Sequence, residues 1–117
     1  MSILLRSYLK PLASDYLNSS DPELKDEVAL KVANIVFILS YGKWESRILT
    51  KLLAQFDLMT ANEMKCKIKD ALGPEEFNLM NKKITNYALK VRDYADKCRR
   101  DNQSIVLRWA AIYKNPT

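Results

Sequence analysis

Histidine is absent from the 117-residue sequence, which removes the commonest general base and metal ligand of enzymes. Without histidine, the Ser-His and Cys-His pairs that activate a nucleophile are excluded. Asp93 and Asp96 form a pair of carboxylates three residues apart, but lysines and an arginine surround them and indicate a solvated, ion-paired face. These residue types predict a protein without enzymatic activity.

The glycines and cysteines also fail to form a recognisable site. Gly42 and Gly73 are the only glycines and lie far apart, so there is no glycine-rich loop to hold a nucleotide phosphate. Cys66 and Cys98 fall within helical patterns and are too few for a structural zinc site without histidine. We therefore expect no cofactor and no metal, and we expect both thiols to be free.

The start of the chain does not read as a targeting or membrane segment. Arg6 and Lys10 interrupt its apolar residues, and no cleavage-site pattern follows. The longest uninterrupted apolar run, Ile35 to Leu39, is far shorter than the ~20 residues that span a bilayer. Free thiols and the lack of a leader predict a cytoplasmic or otherwise intracellular protein with no membrane partner.

Positive charge is concentrated towards the end of the chain. The sequence carries 19 basic and 14 acidic side chains, a net charge of +5. Residues 73–117 hold nine basic and five acidic side chains, so +4 of that charge lies in the last third. A basic surface attracts a phosphate backbone without reading its sequence. The candidate nucleic-acid contacts are Lys65, Lys69, Lys82, Lys83, Lys90, Lys97, Arg99 and Arg100.

The same cations have a simpler interpretation, because soluble helices place lysine and arginine on their solvent face. On an ideal helix Lys65 and Lys69 share one face, whereas Lys67 points away from both. Asp93 falls in the middle of the sector that the later cations occupy. A solvated surface and a phosphate-binding surface are therefore both consistent with the sequence.

The element expected to position these side chains is built around the most apolar run, Glu27 to Tyr41. Asp21 and Pro22 are typical of a helix cap and a first helical position, and Gly42 ends the pattern. A helix that is apolar on nearly every face is buried. We therefore predict a central helix over residues 23–41, with a short strand at residues 35–39 as the alternative.

Helical periodicity predicts the elements on either side of the central helix. Thr60 and Glu63 match a capping box, which marks the start of the fourth helix. The fold class is all-α: one domain, residues 1–117, forming a compact bundle of five to six helices. The other predicted segments are 2–18 with a kink or break near Lys10 caused by Pro11, 43–56, 75–100 as one helix or two with a break near Asn81, and 102–114 capped by Asp101.

The last predicted helix is apolar over more of its circumference than a terminal surface helix needs. It either packs into the bundle or offers Trp109 and Tyr113 to a partner, which would include a second copy of the chain. Together with the charge distribution, this leads to two functional hypotheses. The first is a small basic subunit of a nucleoprotein complex that binds RNA or DNA backbone non-specifically. The second is a protein–protein adaptor or inhibitor with no nucleic-acid role.

Overall fold

Six α-helices and one 3-10 turn form the part of the chain that the computed structural model describes, residues 2–42, 44–101 and 104–114. No strand occurs in these ranges, so the predicted all-α class is confirmed. In chain order the elements are α1 Ser2–Asn18, α2 Pro22–Ser40, α3 Ser46–Gln55, the 3-10 turn Phe56–Leu58, α4 Ala61–Leu72, α5 Pro74–Asp101 and α6 Ile105–Lys114.

The centre of the bundle is α2, which packs against each of the other five helices. Every residue from Val32 to Leu39 is buried, so α2 has no solvent face along that stretch. Its start is as predicted: the Asp21 carboxylate accepts a hydrogen bond from the Glu23 amide at 2.9 Å, and Pro22 occupies the first helical position. The helical interpretation of the apolar run is confirmed.

The longest element is α5, which is one continuous helix of 28 residues, without a break at Asn81. It packs against α2, α4 and α6. Gly73 ends α4 with a φ of +91°, a backbone conformation that glycine adopts without strain. Pro74 then begins α5 at the first helical position, where its missing N–H costs no hydrogen bond. This turn connects α4 directly to α5, and the two helices pack against each other.

The start of α4 is held from two directions. Thr60 and Glu63 form the predicted capping box: each side chain accepts a hydrogen bond from the other residue's amide, both at 3.2 Å. From α2, the Glu27 carboxylate accepts a hydrogen bond from the Ala61 amide, and the Asn34 side chain donates to the Ala61 carbonyl at 3.2 Å. Both main-chain groups of Ala61 are therefore bonded to the central helix.

Three predicted boundaries differ from the structure. The first helix is continuous from Ser2 to Asn18, so Pro11 does not break it; Pro11 lies on the exposed side of the helix. Asp101 is the last residue of α5 and does not cap α6; the Ser104 hydroxyl instead accepts a hydrogen bond from the Leu107 amide at 3.5 Å. The third helix begins at Ser46, and the predicted start at residue 43 lies outside the described residues.

Candidate functional site

The cations that the sequence singles out on α5 include a regular row. Lys83, Lys90 and Lys97 are spaced seven residues apart, which is close to two helical turns, so they follow one flank of the helix. Successive lysines in this lysine row are about 10 Å apart along the helix axis. Lys83 and Lys97 are exposed, and Lys90 is partly buried.

An apolar row runs beside the lysine row on α5. Met80, Tyr87 and Tyr94 recur at the same spacing, about 60° closer to the core. Tyr87 is buried, and the other two are partly exposed. The guanidinium of Arg108, from α6, lies 5.7 Å from the centre of the Tyr94 ring, a cation–π contact. The flank therefore combines cations with aromatic and apolar groups.

Where this flank meets the C-terminal end of α2, the two helices enclose an open groove of about 530 Å³. Lys83 and Lys90 lie on its α5 side, and no carboxylate lines it. The groove is therefore a largely apolar surface whose two charged lining residues are both lysines, and its volume is in the size range of ligand pockets. Its lining comprises Phe37, Ser40, Tyr41, Met80, Lys83, Asn86, Tyr87, Leu89 and Lys90.

The α2 wall of the groove is a group of packed aromatic rings. Phe37 and Tyr41 are stacked, with ring centres 5.3 Å apart and planes 26° from parallel. Trp44 meets the Tyr41 ring closer to edge-on at 5.6 Å. The Tyr41 hydroxyl donates a hydrogen bond to the Glu76 carboxylate at the start of α5. These contacts fix the orientation of the Tyr41 ring beside the groove.

All eight predicted nucleic-acid contacts are solvent-accessible. Lys65 and Lys90 are partly buried, and the other six are exposed. Within the described ranges, none of the eight forms an ion pair with a carboxylate, whereas Arg92 pairs with Asp26. Their charge is thus not neutralised by a bonded partner inside the described part of the chain.

The structure does not bring the eight cations onto one surface. Lys83 and Lys90 share the groove, and Lys97 continues their row. Arg99 instead lines a separate surface depression with Ala13 and Leu17 of α1, on the other side of α5. The Lys82 and Arg100 positions lie on the outer side of α5, and Lys65 and Lys69 project from α4 one turn apart. The candidate site therefore narrows to the lysine row and the groove beside it.

The two predicted partner contacts on α6 lie in different environments. Trp109 is fully buried, and its indole N–H donates to the Val91 carbonyl at 2.9 Å. Tyr113 is only partly buried. With the Trp109 ring inside the core, Tyr113 is the only one of the two with surface to offer a partner.

A polar cluster lies on the opposite flank of α5, away from the lysine row. Tyr16 is buried, and its hydroxyl donates to the Asp96 carboxylate at 3.3 Å. Burial raises the pKa of Tyr16 above its ordinary value, although hydrogen bonding to Arg92 opposes the rise. The same hydrogen bond with Tyr16 raises the pKa of Arg92. The cluster joins α1, α2 and α5 and has the character of a structural tie.

The remaining candidate groups of the described residues do not assemble into a site. Cys66 is exposed, Cys98 is buried, and both are free thiols. Within residues 2–42, 44–101 and 104–114, no three Cys, Asp or Glu side chains are grouped so as to hold a metal ion. None of the helices in those ranges combines the length and the apolar character that crossing a membrane requires.

Sequence reasoning missed the groove because it assigned Phe37 and Tyr41 to the scaffold alone. One signal was present: the apolar row and the lysine row of α5 repeat at the same seven-residue interval.

Comparison with protein-family models, with curated proteins and with solved structures finds no match for this chain. A functional proposal therefore depends on the geometry of the lysine row and the groove.

Proposed function

We propose that this chain is a small, non-enzymatic, basic helical subunit of a nucleoprotein complex that binds a nucleic-acid backbone along α5. The observation that supports this proposal is the lysine row. Lys83, Lys90 and Lys97 lie along one flank of a long helix, and no described carboxylate is ion-paired with any of them. A linear array of unpaired cations suits a linear polyanion.

The contrast with Arg92 strengthens this argument. Arg92 also belongs to α5, but it lies on the opposite flank, where its guanidinium pairs with the Asp26 carboxylate of α2. The helix therefore has one flank whose cation is used in holding the bundle together and another whose cations have no such role. Because no described carboxylate pairs with the lysine row, its charge is available for a ligand.

Asp93 sets a limit on how strongly this flank attracts phosphates. It is exposed and lies between Lys90 and Lys97 along the helix. Asp93 and the three lysines together carry a net charge of +2. This favours weak, salt-sensitive, non-specific binding of one subunit, which repeated subunits in an assembly would reinforce.

The test is fluorescence anisotropy with labelled RNA and DNA oligonucleotides, measured over a range of salt concentrations. The full chain should bind at low salt and lose affinity steeply as salt rises. A variant with Lys83→Glu, Lys90→Glu and Lys97→Glu should reduce the slope of log affinity against log salt by about 2 for a single strand.

The matched control changes three exposed cations elsewhere by the same charge: Lys10→Glu in α1, with Arg47→Glu and Lys51→Glu in α3. It should bind more tightly than the lysine-row variant. If both variants lose the same affinity for the oligonucleotides, net charge alone explains the loss, and the lysine row is not the binding site. Absence of binding at low salt would reject the proposal and favour the second hypothesis, a protein–protein adaptor. That hypothesis predicts a protein partner that stays bound to this chain after nuclease treatment.

A further inference from the structure

The groove between the end of α2 and α5 carries chemistry that backbone binding alone does not require. Its wall is aromatic, and its two charged side chains, Lys83 and Lys90, are both positive. We propose that this groove receives an unstacked base of a single-stranded nucleic acid whose flanking phosphates lie on the lysine row. This inference rests on the proposed function, and it adds the strand type and the site of base contact.

The lining offers contacts for a face and for an edge of a base. Tyr41 and Met80 provide apolar surface, and aromatic surfaces stack on any base irrespective of sequence. Asn86 lies in the same lining and is exposed, and its amide offers both a donor and an acceptor to a base edge. Because Tyr41 is held by Phe37 and Trp44, its ring is ordered before a ligand arrives.

The spacing of the lysines along α5 favours a single-stranded nucleic acid over a small ligand such as a fatty acid. Lys97 continues the row of Lys83 and Lys90 beyond the groove, so the positive surface is longer than the apolar one. A fatty acid has one charge and needs no second or third cation. A single strand presents a charge at every nucleotide and an apolar, flat group beside each charge, which fits an apolar groove flanked by a cation row.

A duplex does not present an exposed base face to the groove. Its bases are paired and stacked inside the helix, so their faces cannot reach a groove wall without unpairing. Acidic proteins would satisfy the lysines, but a carboxylate side chain brings no flat apolar group to Tyr41. The combination of both features in one groove is what favours a single strand.

The decisive measurement compares two single-stranded oligonucleotides of equal length and charge, an oligothymidylate and its fully abasic counterpart. The full chain should bind the oligothymidylate at least about fivefold more tightly. The ratio of the two affinities isolates the base contact, because both strands carry the same backbone.

Two exposed leucines of α5 provide matched variants: Leu89 lines the groove and is 60% exposed, and Leu79 lies outside it and is 75% exposed. Leu89→Glu places a carboxylate beside the base and should bring the ratio close to one. Leu79→Glu makes the same charge change on the same helix and should leave the ratio unchanged. Since both side chains are exposed in the structure, both variants should fold.

The outcomes separate this inference from the proposed function. Binding of both strands with equal affinity would overturn the base contact and leave backbone binding intact. Failure to bind either strand would overturn both. A competition experiment tests the remaining alternative, an acidic protein. If an oligoglutamate of equal charge displaces labelled oligothymidylate at the same concentration as unlabelled oligothymidylate does, the inference is overturned.

Discussion

Trp109 of α6 donates its indole N–H to the main-chain carbonyl of Val91 in α5, across 2.9 Å within the core. The same ring meets the Tyr16 ring of α1 nearly edge-on, with centres 5.9 Å apart. The Trp109 side chain therefore connects α6 to both α1 and α5. This explains why α6 is apolar over so much of its circumference: α1, α2 and α5 all pack against it.

Replacing Trp109 should destabilise the whole bundle. Trp109→Ala removes a large, fully buried side chain and should lower the free energy of unfolding by about 3–5 kcal/mol. Trp109→Phe keeps most of the apolar contact but loses the hydrogen bond to Val91, so its cost should be smaller. Leu107→Ala, at a position 54% exposed in the same helix, should cost less than about 0.5 kcal/mol. Urea denaturation measures all three, and equal costs at positions 109 and 107 would contradict the buried placement.

A charge placed in the centre of α2 should abolish folding. Val36 is fully buried, and a carboxylate there would have neither water nor a counter-ion. We expect Val36→Asp to cost at least about 4 kcal/mol and to lose helical circular dichroism. Leu24→Asp, in the same helix at a position 55% exposed, is the control and should keep the spectrum of the unaltered chain. A helical Val36→Asp variant would contradict the central position of α2.

The sequence predicts individual helices well where their limits are local. Asp21 and Pro22 fix the start of α2, and Thr60 with Glu63 fixes the start of α4, because caps and capping boxes act within a single turn. The start of α6 was misplaced because Asp101 is an equally good cap by type. In the structure Asp101 belongs to α5, and Ser104 is the residue that caps α6.

The candidate site was predicted only in part, because it depends on how two helices cross. Lys83 and Lys90 could be placed on one flank of α5 from their spacing. The aromatic wall of the groove comes from Phe37 and Tyr41, whose approach to α5 is set by tertiary packing that periodicity does not encode. Arg99 was grouped with the lysines by its charge, yet it lies about 160° around the helix from Lys83.

Glu27 should contribute to stability by capping a helix other than its own. Its carboxylate accepts a hydrogen bond from the Ala61 amide at the positive end of α4. We expect Glu27→Ala to lower the free energy of unfolding by about 1–2 kcal/mol. The Ala61 amide should also lose protection in hydrogen exchange, since its acceptor is removed.

The control for this prediction is Glu45, an exposed glutamate directly before α3 whose side chain makes no capping hydrogen bond. Glu45→Ala removes the same charge and should change stability by less than about 0.5 kcal/mol. If the two variants are equally stable, the link between Glu27 and α4 contributes nothing measurable to the fold.

Tyr16 should give the bundle a specific sensitivity to alkaline pH. Burial raises the pKa of Tyr16 in the folded chain above its ordinary value, so the folded state holds the phenolic proton more tightly than the unfolded state does. The stability that this provides is complete below the unfolded pKa of about 10 and is lost as pH rises through the folded pKa. Tyr16→Phe lacks the titrating group.

We therefore expect Tyr16→Phe to be less stable than the unaltered chain at neutral pH, by about 0.5–1.5 kcal/mol for the lost hydrogen bond to Asp96. The difference should shrink above about pH 10, because only the unaltered chain must then ionise a buried phenol. Urea denaturation of both proteins between about pH 8 and pH 11 measures this difference directly and cancels the titration of lysines common to both. A stability difference that stays constant across that range would show that the Tyr16 hydroxyl titrates alike in the folded and unfolded chain.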